Sequence, residues 1–216
     1  MIPLRDTVPS ATFPVVNYAI IAANVLVFLY QLSLGPHFEA FLHTYGLVPR
    51  HFTLLALMTS MFLHGGWFHL LGNMLYLYIF GDNVEDRLGH GRYLVFYLLC
   101  GAAAGAVQAW TSPHSSLPMV GASGAIAGVS GAYFLFFPTS RVVTLVPIFL
   151  FLQVVEVPAV FFLAIWFVWQ FVSGVATLGG KSEVGGVAFW AHIGGFLAGM
   201  VLAPALRERA APAGWT

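Results

Sequence analysis

Residues 61–80 read MFLHGGWFHLLGNMLYLYIF, a run without a single Asp, Glu, Lys or Arg. An α-helix needs about 20 mostly apolar residues to cross a bilayer, so this stretch has the length and composition of a spanning segment. It also carries His64, His69 and Asn73, and polar groups placed in lipid are costly enough to need a reason. His69 and Asn73 are four residues apart and therefore share one helix face.

The whole chain supports a membrane setting. Its 216 residues hold eight Lys plus Arg and eight Asp plus Glu, 7% in all, against 59% hydrophobic and 16% aromatic residues; the mean hydropathy is +0.86. A soluble domain carries roughly 25% charged residues, so this composition cannot cover a water-facing surface. Disorder is excluded as well, because it requires low hydrophobicity. A net charge of zero argues against nucleic acid as a partner, since phosphate binding depends on clustered Lys and Arg. Cys100 is the only cysteine, which rules out an internal disulfide.

Working outward from the charges places spans near 15–34, 57–80, 93–111, 120–138, 158–176 and 187–206. These runs lack the polar–apolar alternation of barrel strands. The first lacks a small-residue cleavage site and reads as a retained span. The stretch 142–178 has Glu156 as its only charge and is interrupted by Pro147 and Pro158. It is expected to form a segment at the interface followed by one span. With six spans, Arg5, Arg87, Arg92, Arg141, Arg207 and Arg209 share one side, and only Arg50 and Lys181 the other. Positively charged residues concentrate on the cytoplasmic side. The expected fold is therefore an all-α bundle of six transmembrane helices with both termini cytoplasmic. No repeat is visible, and 1–216 reads as a single membrane domain. The excess of Arg over Lys points to the plasma membrane of a bacterium.

Alternate spans run in the same direction, which brings three polar clusters to one depth in the outer half of the bilayer. They are His64, His69 and Asn73 in span two, Ser123 and Ser130 in span four, and His192 in span six. The remaining polar groups of the spans are Asn17, Asn24, Gln108 and Gln170. Span four carries Gly121, Gly124, Gly128 and Gly131, and span six carries Gly195 and Gly199; small residues at this spacing let helix backbones approach closely. A serine hydroxyl within reach of an imidazole is the minimum nucleophile–base pair for acyl transfer. Asn73, His69 and the Ser123 N–H can donate to the oxygen that becomes negative in a tetrahedral intermediate. Gly121 would permit the tight turn ahead of a helix opening at Ser123. With no Asp or Glu in the spans except Glu156 near the inner face, a dyad without an acidic member is expected. The histidines lack metal-site spacing, so neither a metal nor any other cofactor is expected.

As a set, His64-Gly-Gly-Trp-Phe-His69-Leu-Leu-Gly-Asn73, Gly121-Ala-Ser123-Gly124 and Ala191-His192-Ile-Gly-Gly195 with Gly199 resemble the rhomboid intramembrane serine proteases, over roughly 16–206. The resemblance implies Ser123 as nucleophile, His192 as general base, and an oxyanion hole of His69, Asn73 and the Ser123 amide. It also implies a structural His64 that anchors the loop between spans three and four. Two positions depart from the family pattern. Leu55 and Ala56 stand where a Trp-Arg pair is common, and Ala127 where an aromatic often stacks on the base. The expected activity is endoproteolysis of transmembrane segments of other proteins, which enter laterally beside span five under the loop 177–186. The alternatives are an inactive membrane-protein binding factor on the same bundle and, further off, a small-solute transporter.

Overall fold

The computed structural model describes residues 1–148, 151–177 and 187–208. The chain is predominantly helical, in the order β1 (Ile2–Asp6), α1 (Val15–Ser33), α2 (Phe38–Tyr45), α3 (Leu54–Thr59), α4 (Trp67–Leu88), α5 (His90–Thr111), α6 (Ser123–Phe136), β2 (Arg141–Ile148), β3 (Phe151–Pro158), α7 (Ala159–Thr177) and α8 (Phe189–Leu206). α6 lies at the centre and packs against α4, α5, α7 and α8.

Among the described residues, four helices, α1, α5, α7 and α8, are long and apolar enough to cross a membrane. A fifth span results if α4 is joined to the segment before it. α6 has only 14 residues, about 21 Å at 1.5 Å per residue, less than a bilayer core. The expected span 120–138 therefore begins as non-helical chain. The expected span 57–80 is also corrected. Leu54–Phe62 and Trp67–Leu88 meet at 86°, and the chain is extended at Leu63 and Gly66 between them. His64 consequently precedes α4 instead of lying within it, and α4 runs on to Leu88.

The all-α expectation needs a second correction. β1, β2 and β3 form an antiparallel sheet in that order, with Ile2 opposite Leu145 and Asp6 opposite Val142. The interfacial segment expected before span five is thus a β-hairpin, and the N-terminal tail is its third strand. Runs of β-branched residues, Val142-Val143-Thr144 and Val154-Val155, suit a pleated surface. The Tyr133 hydroxyl of α6 donates to Asp6 Oδ2 (2.5 Å) and ties the sheet to the bundle.

The buried side of α1 is partly polar, with Asn17, Asn24 and Gln31 all inaccessible. Asn17 Nδ2 donates to the Leu77 carbonyl of α4 (2.9 Å), and its Oδ1 accepts from the Tyr93 hydroxyl of α5 (2.9 Å). Polar side chains on an apolar helix thereby join helices where lipid offers no other partner.

The N-terminus of α1 has no capping side chain of its own. Buried Glu85, from the far end of α4, accepts from the N–H groups of Val16 (3.0 Å) and Asn17 (2.7 Å). A carboxylate there satisfies orphan donors and complements the positive end of the helix dipole. Asp86 similarly accepts from the N–H groups of Ala11 (2.6 Å) and Thr12 (3.0 Å). Glu85→Ala should destabilise the protein by about 2 kcal/mol or more, since charged hydrogen bonds would be lost from a buried site. A thermal melt in detergent that matches the unsubstituted protein would show that Glu85 does not hold α1.

Candidate active site

Of the six polar residues expected at one depth, the four assigned to the chemistry fall in the opening turns of helices. Ser123 is the first residue of α6, His192 the fourth of α8, and His69 and Asn73 lie in the first two turns of α4. Their convergence follows from how the helices pack. A Cβ built on Gly195 would lie 2.0 Å from the Gly124 carbonyl oxygen, and one on Gly199 2.0 Å from that of Gly128. Any side chain at either position would force α8 off α6. At this separation Ser123 Oγ and His192 Nε2 stand 2.8 Å apart, in hydrogen-bond contact.

The loop before Ser123 is fixed by backbone contacts. Gly121 has φ +125°, a conformation that side-chain-bearing residues rarely adopt, and its N–H donates to the Ser60 carbonyl (2.9 Å). Met119 pairs with Leu47 through two backbone hydrogen bonds of 2.8 and 2.9 Å. The first N–H groups of α6 have no intrahelical acceptor, and Ser123 carries one of them beside its own hydroxyl.

His69 lies over this turn. A Cβ on Gly121 would come 2.6 Å from His69 Nε2 and 3.6 Å from Ser123 Oγ, so the glycine leaves room for the ring next to the hydroxyl. His69 Nδ1 accepts a long hydrogen bond (3.5 Å) from the Gly65 N–H. With Nδ1 accepting, a neutral ring carries its proton on Nε2, the atom that lies over Gly121. Asn73 is 7% exposed, and its Nδ2 is buried without a hydrogen-bond partner among the described residues. All four residues line one cavity of about 740 Å³. Trp67, Phe68 and Tyr76 of α4 and Trp166 of α7 are also on its wall, so it reaches the cleft between those two helices.

His64 is fully buried, and its hydrogen bonds run to α1. Its N–H donates to Gln31 Oε1, and its carbonyl accepts from Gln31 Nε2, both at 3.1 Å. These are contacts of the His64 backbone, and they pin the bend ahead of α4. The His64 ring contacts that of His69 edge-on, with centroids 5.1 Å apart.

Two contacts of His192 lay outside the motif reading. Gln170 Oε1 of α7 is 2.8 Å from His192 Nδ1, and the Trp166 ring lies against the imidazole with centroids 5.8 Å apart. Gln170 stood only among the remaining polar groups of the spans. The available signal was a glutamine in an otherwise apolar span. From α5, Gln108 Oε1 accepts from the Ala191 N–H (3.2 Å) and so caps the start of α8. Among the described residues, no three His, Cys, Asp or Glu side chains converge as a metal site would require. The expected cap 177–186 lies, apart from Thr177, outside the described residues, as do Lys181 and Arg209.

A family model described as Rhomboid domain matches residues 51–209. Rhomboid protein 1, mitochondrial, of Saccharomyces cerevisiae is 32% identical over 136 residues, which cover 60% of this chain and 38% of the relative. Rhomboid protease GluP of Bacillus subtilis is 35% identical over 126 residues, 55% of this chain and 24% of the relative. Rhomboid-like protein 11, chloroplastic, of Arabidopsis thaliana is 39% identical over 72 residues, 33% of this chain and 25% of the relative. The chain thus spans well under half the length of each of these curated relatives.

The packing argument gives a differential prediction. Gly195→Ala and Gly199→Ala should each lower the melting temperature and separate α6 from α8, because the new methyl meets backbone that cannot give way. Gly91→Ala, where a Cβ meets nothing within 4 Å, should be neutral or stabilising by up to about 1 kcal/mol. Equal melting temperatures for all three variants would show that α6 and α8 are not held at glycine contact.

Proposed function

Because the chain belongs to the rhomboid family, whose members are integral, multi-pass membrane proteins, we propose that it is an intramembrane serine endopeptidase acting through Ser123 and His192. The observation that carries the reading is the 2.8 Å contact between Ser123 Oγ and His192 Nε2 on the wall of the cavity. His192 takes the hydroxyl proton as Ser123 attacks a peptide carbonyl, then delivers it to the leaving amine. Water hydrolyses the acyl-enzyme by the reverse proton path. Asn73 Nδ2, His69 Nε2–H and the Ser123 N–H are the donors for the oxyanion. That Asn73 Nδ2 has no partner among the described residues supports this role, since a donor already engaged would have to exchange partners during the reaction. Gly124, Gly195 and Gly199 set the helix spacing on which the geometry rests, Gly121 leaves room for the His69 ring, and His64 sets the bend before α4. No metal or other cofactor enters the scheme.

The membrane arrangement belongs to the same proposal. Six spans in one membrane domain, with α6 completed by the chain ahead of it, place both termini and most Arg residues on the cytoplasmic side. That orientation puts the cavity in the outer half of the bilayer. The substrate is a transmembrane segment of another protein, admitted between α4 and α7. Phe68, 95% exposed, together with exposed Leu71 and Phe161, offers apolar surface on both flanks of that route. Segments that unwind readily near the outer face are favoured, because a helical peptide bond is shielded by its own hydrogen bonds. The strong preference for Arg over Lys fits the plasma membrane of a bacterium.

Detergent-solubilised protein should label with a fluorophosphonate probe, and Ser123→Ala and His192→Ala should abolish labelling without loss of fold. Folded protein that never labels would instead favour an inactive binding factor. Asn73→Ala should reduce cleavage roughly 10- to 1000-fold, the range for loss of one oxyanion donor. Undiminished turnover would remove Asn73 from the site.

A further inference from the structure

The imidazole of His192 is held from two directions by one face of α7. Trp166, Gln170 and Gly174 are spaced four apart and so form a single stripe. Trp166 packs beside the ring, tilted 35° from it with centroids 5.8 Å apart, and Gln170 Oε1 meets Nδ1 in hydrogen-bond contact at 2.8 Å. At Gly174 a Cβ would come within 3.3–3.5 Å of Trp190, Ile193 and Phe189, so the glycine lets α7 close on α8 beside the histidine. Gln170 is 7% exposed. A glutamine in a lipid-embedded helix is costly unless its amide is used.

We propose that Gln170 is the positioning residue of His192, fixing its tautomer and orientation; this rests on the reading of Ser123 and His192 as nucleophile and base. A neutral imidazole carries one N–H. The amide oxygen can only accept, so it holds that proton on Nδ1 and leaves the lone pair of Nε2 toward Ser123 Oγ. The opposite tautomer would present Nε2–H to the hydroxyl and could not remove its proton. When His192 becomes imidazolium during the reaction, the same oxygen continues to accept from Nδ1–H. An uncharged amide thereby does the orienting work that a carboxylate performs in Ser-His-Asp triads, without burying a charge. Ala127 provides no ring to stack on the base, and the α7 stripe supplies both the stacking surface and the polar contact.

The test uses the full-length protein. Gln170→Met keeps the side-chain length but has no accepting oxygen, whereas Gln170→Glu restores one. Turnover of a transmembrane peptide in liposomes should fall roughly 10- to 1000-fold in Gln170→Met, less than the 10⁴-fold loss when a charged orienting group is replaced. KM should be unchanged, because substrate binding does not involve Gln170. Gln170→Glu should recover most of the rate. Nitrogen-15 NMR of labelled histidine in bilayers, which needs no substrate, should show His192 protonated at Nδ1 in the unsubstituted protein and a tautomer mixture in Gln170→Met. Wild-type turnover by Gln170→Met, or a His192 protonated at Nε2 in the unsubstituted protein, overturns the proposal. Failure of the dyad reading itself shows separately, as turnover that survives Ser123→Ala.

Discussion

A backbone carbonyl of α6 occupies the place where a side chain on α8 would begin, at Gly195 and again one turn on at Gly199. This contact sets the distance between the two helix axes and hence between the groups they carry. Serine and histidine side chains are short, and two helices at an ordinary separation of 8–10 Å with larger residues between them would not bring Oγ and Nε2 together at 2.8 Å. The third wall obeys the same rule. A Cβ on Gly124 would meet Ala104 of α5 at 2.6 Å, and one on Gly128 would meet Cys100 at 2.4 Å. Cys100 is accordingly a packing residue, closed off between α5 and α6.

The two ends of α4 are built on opposite principles. At its far end Glu85 and Asp86 are saturated with donors from the chain around the start of α1, a polar lock that fixes how α1 stands against α4. At its near end, Asn73 Nδ2 has no partner among the described residues and His69 Nε2 lies over a glycine. Unused donors beside a cavity are what an oxyanion site needs before substrate arrives. Gln31 joins these regions, since it reaches from the last turns of α1 to hold both backbone polar groups of His64.

The site was legible in the sequence because its parts are sparse polar residues in apolar helices, set beside small residues with a fixed spacing. Ser123, His192, His69 and Asn73 stood out against lipid-compatible neighbours, and the structure brings them to one cavity. The bend at Leu63–Gly66 was hidden, because apolar composition marks a span but says nothing about its direction. The sheet was hidden for a related reason. Val-rich strands and apolar helices share a hydropathy signature, and the partner of β2 lies at the opposite end of the sequence, where a five-residue strand resembles a tail. Gln170 was visible as a polar residue, but a lone glutamine gives no indication of which helix it faces. Only the docking of α7 on α8 reveals that.

The account stands on Ser123 as the atom that takes up the substrate's acyl group. Its most direct test is to quench turnover of a transmembrane peptide in acid, digest the protein, and locate the trapped ester by mass spectrometry. The account predicts a peptide-derived acyl group on Ser123, absent when His192 is replaced by alanine. Cleavage with no ester on Ser123, or an ester on Ser130 of the same cavity, would contradict it.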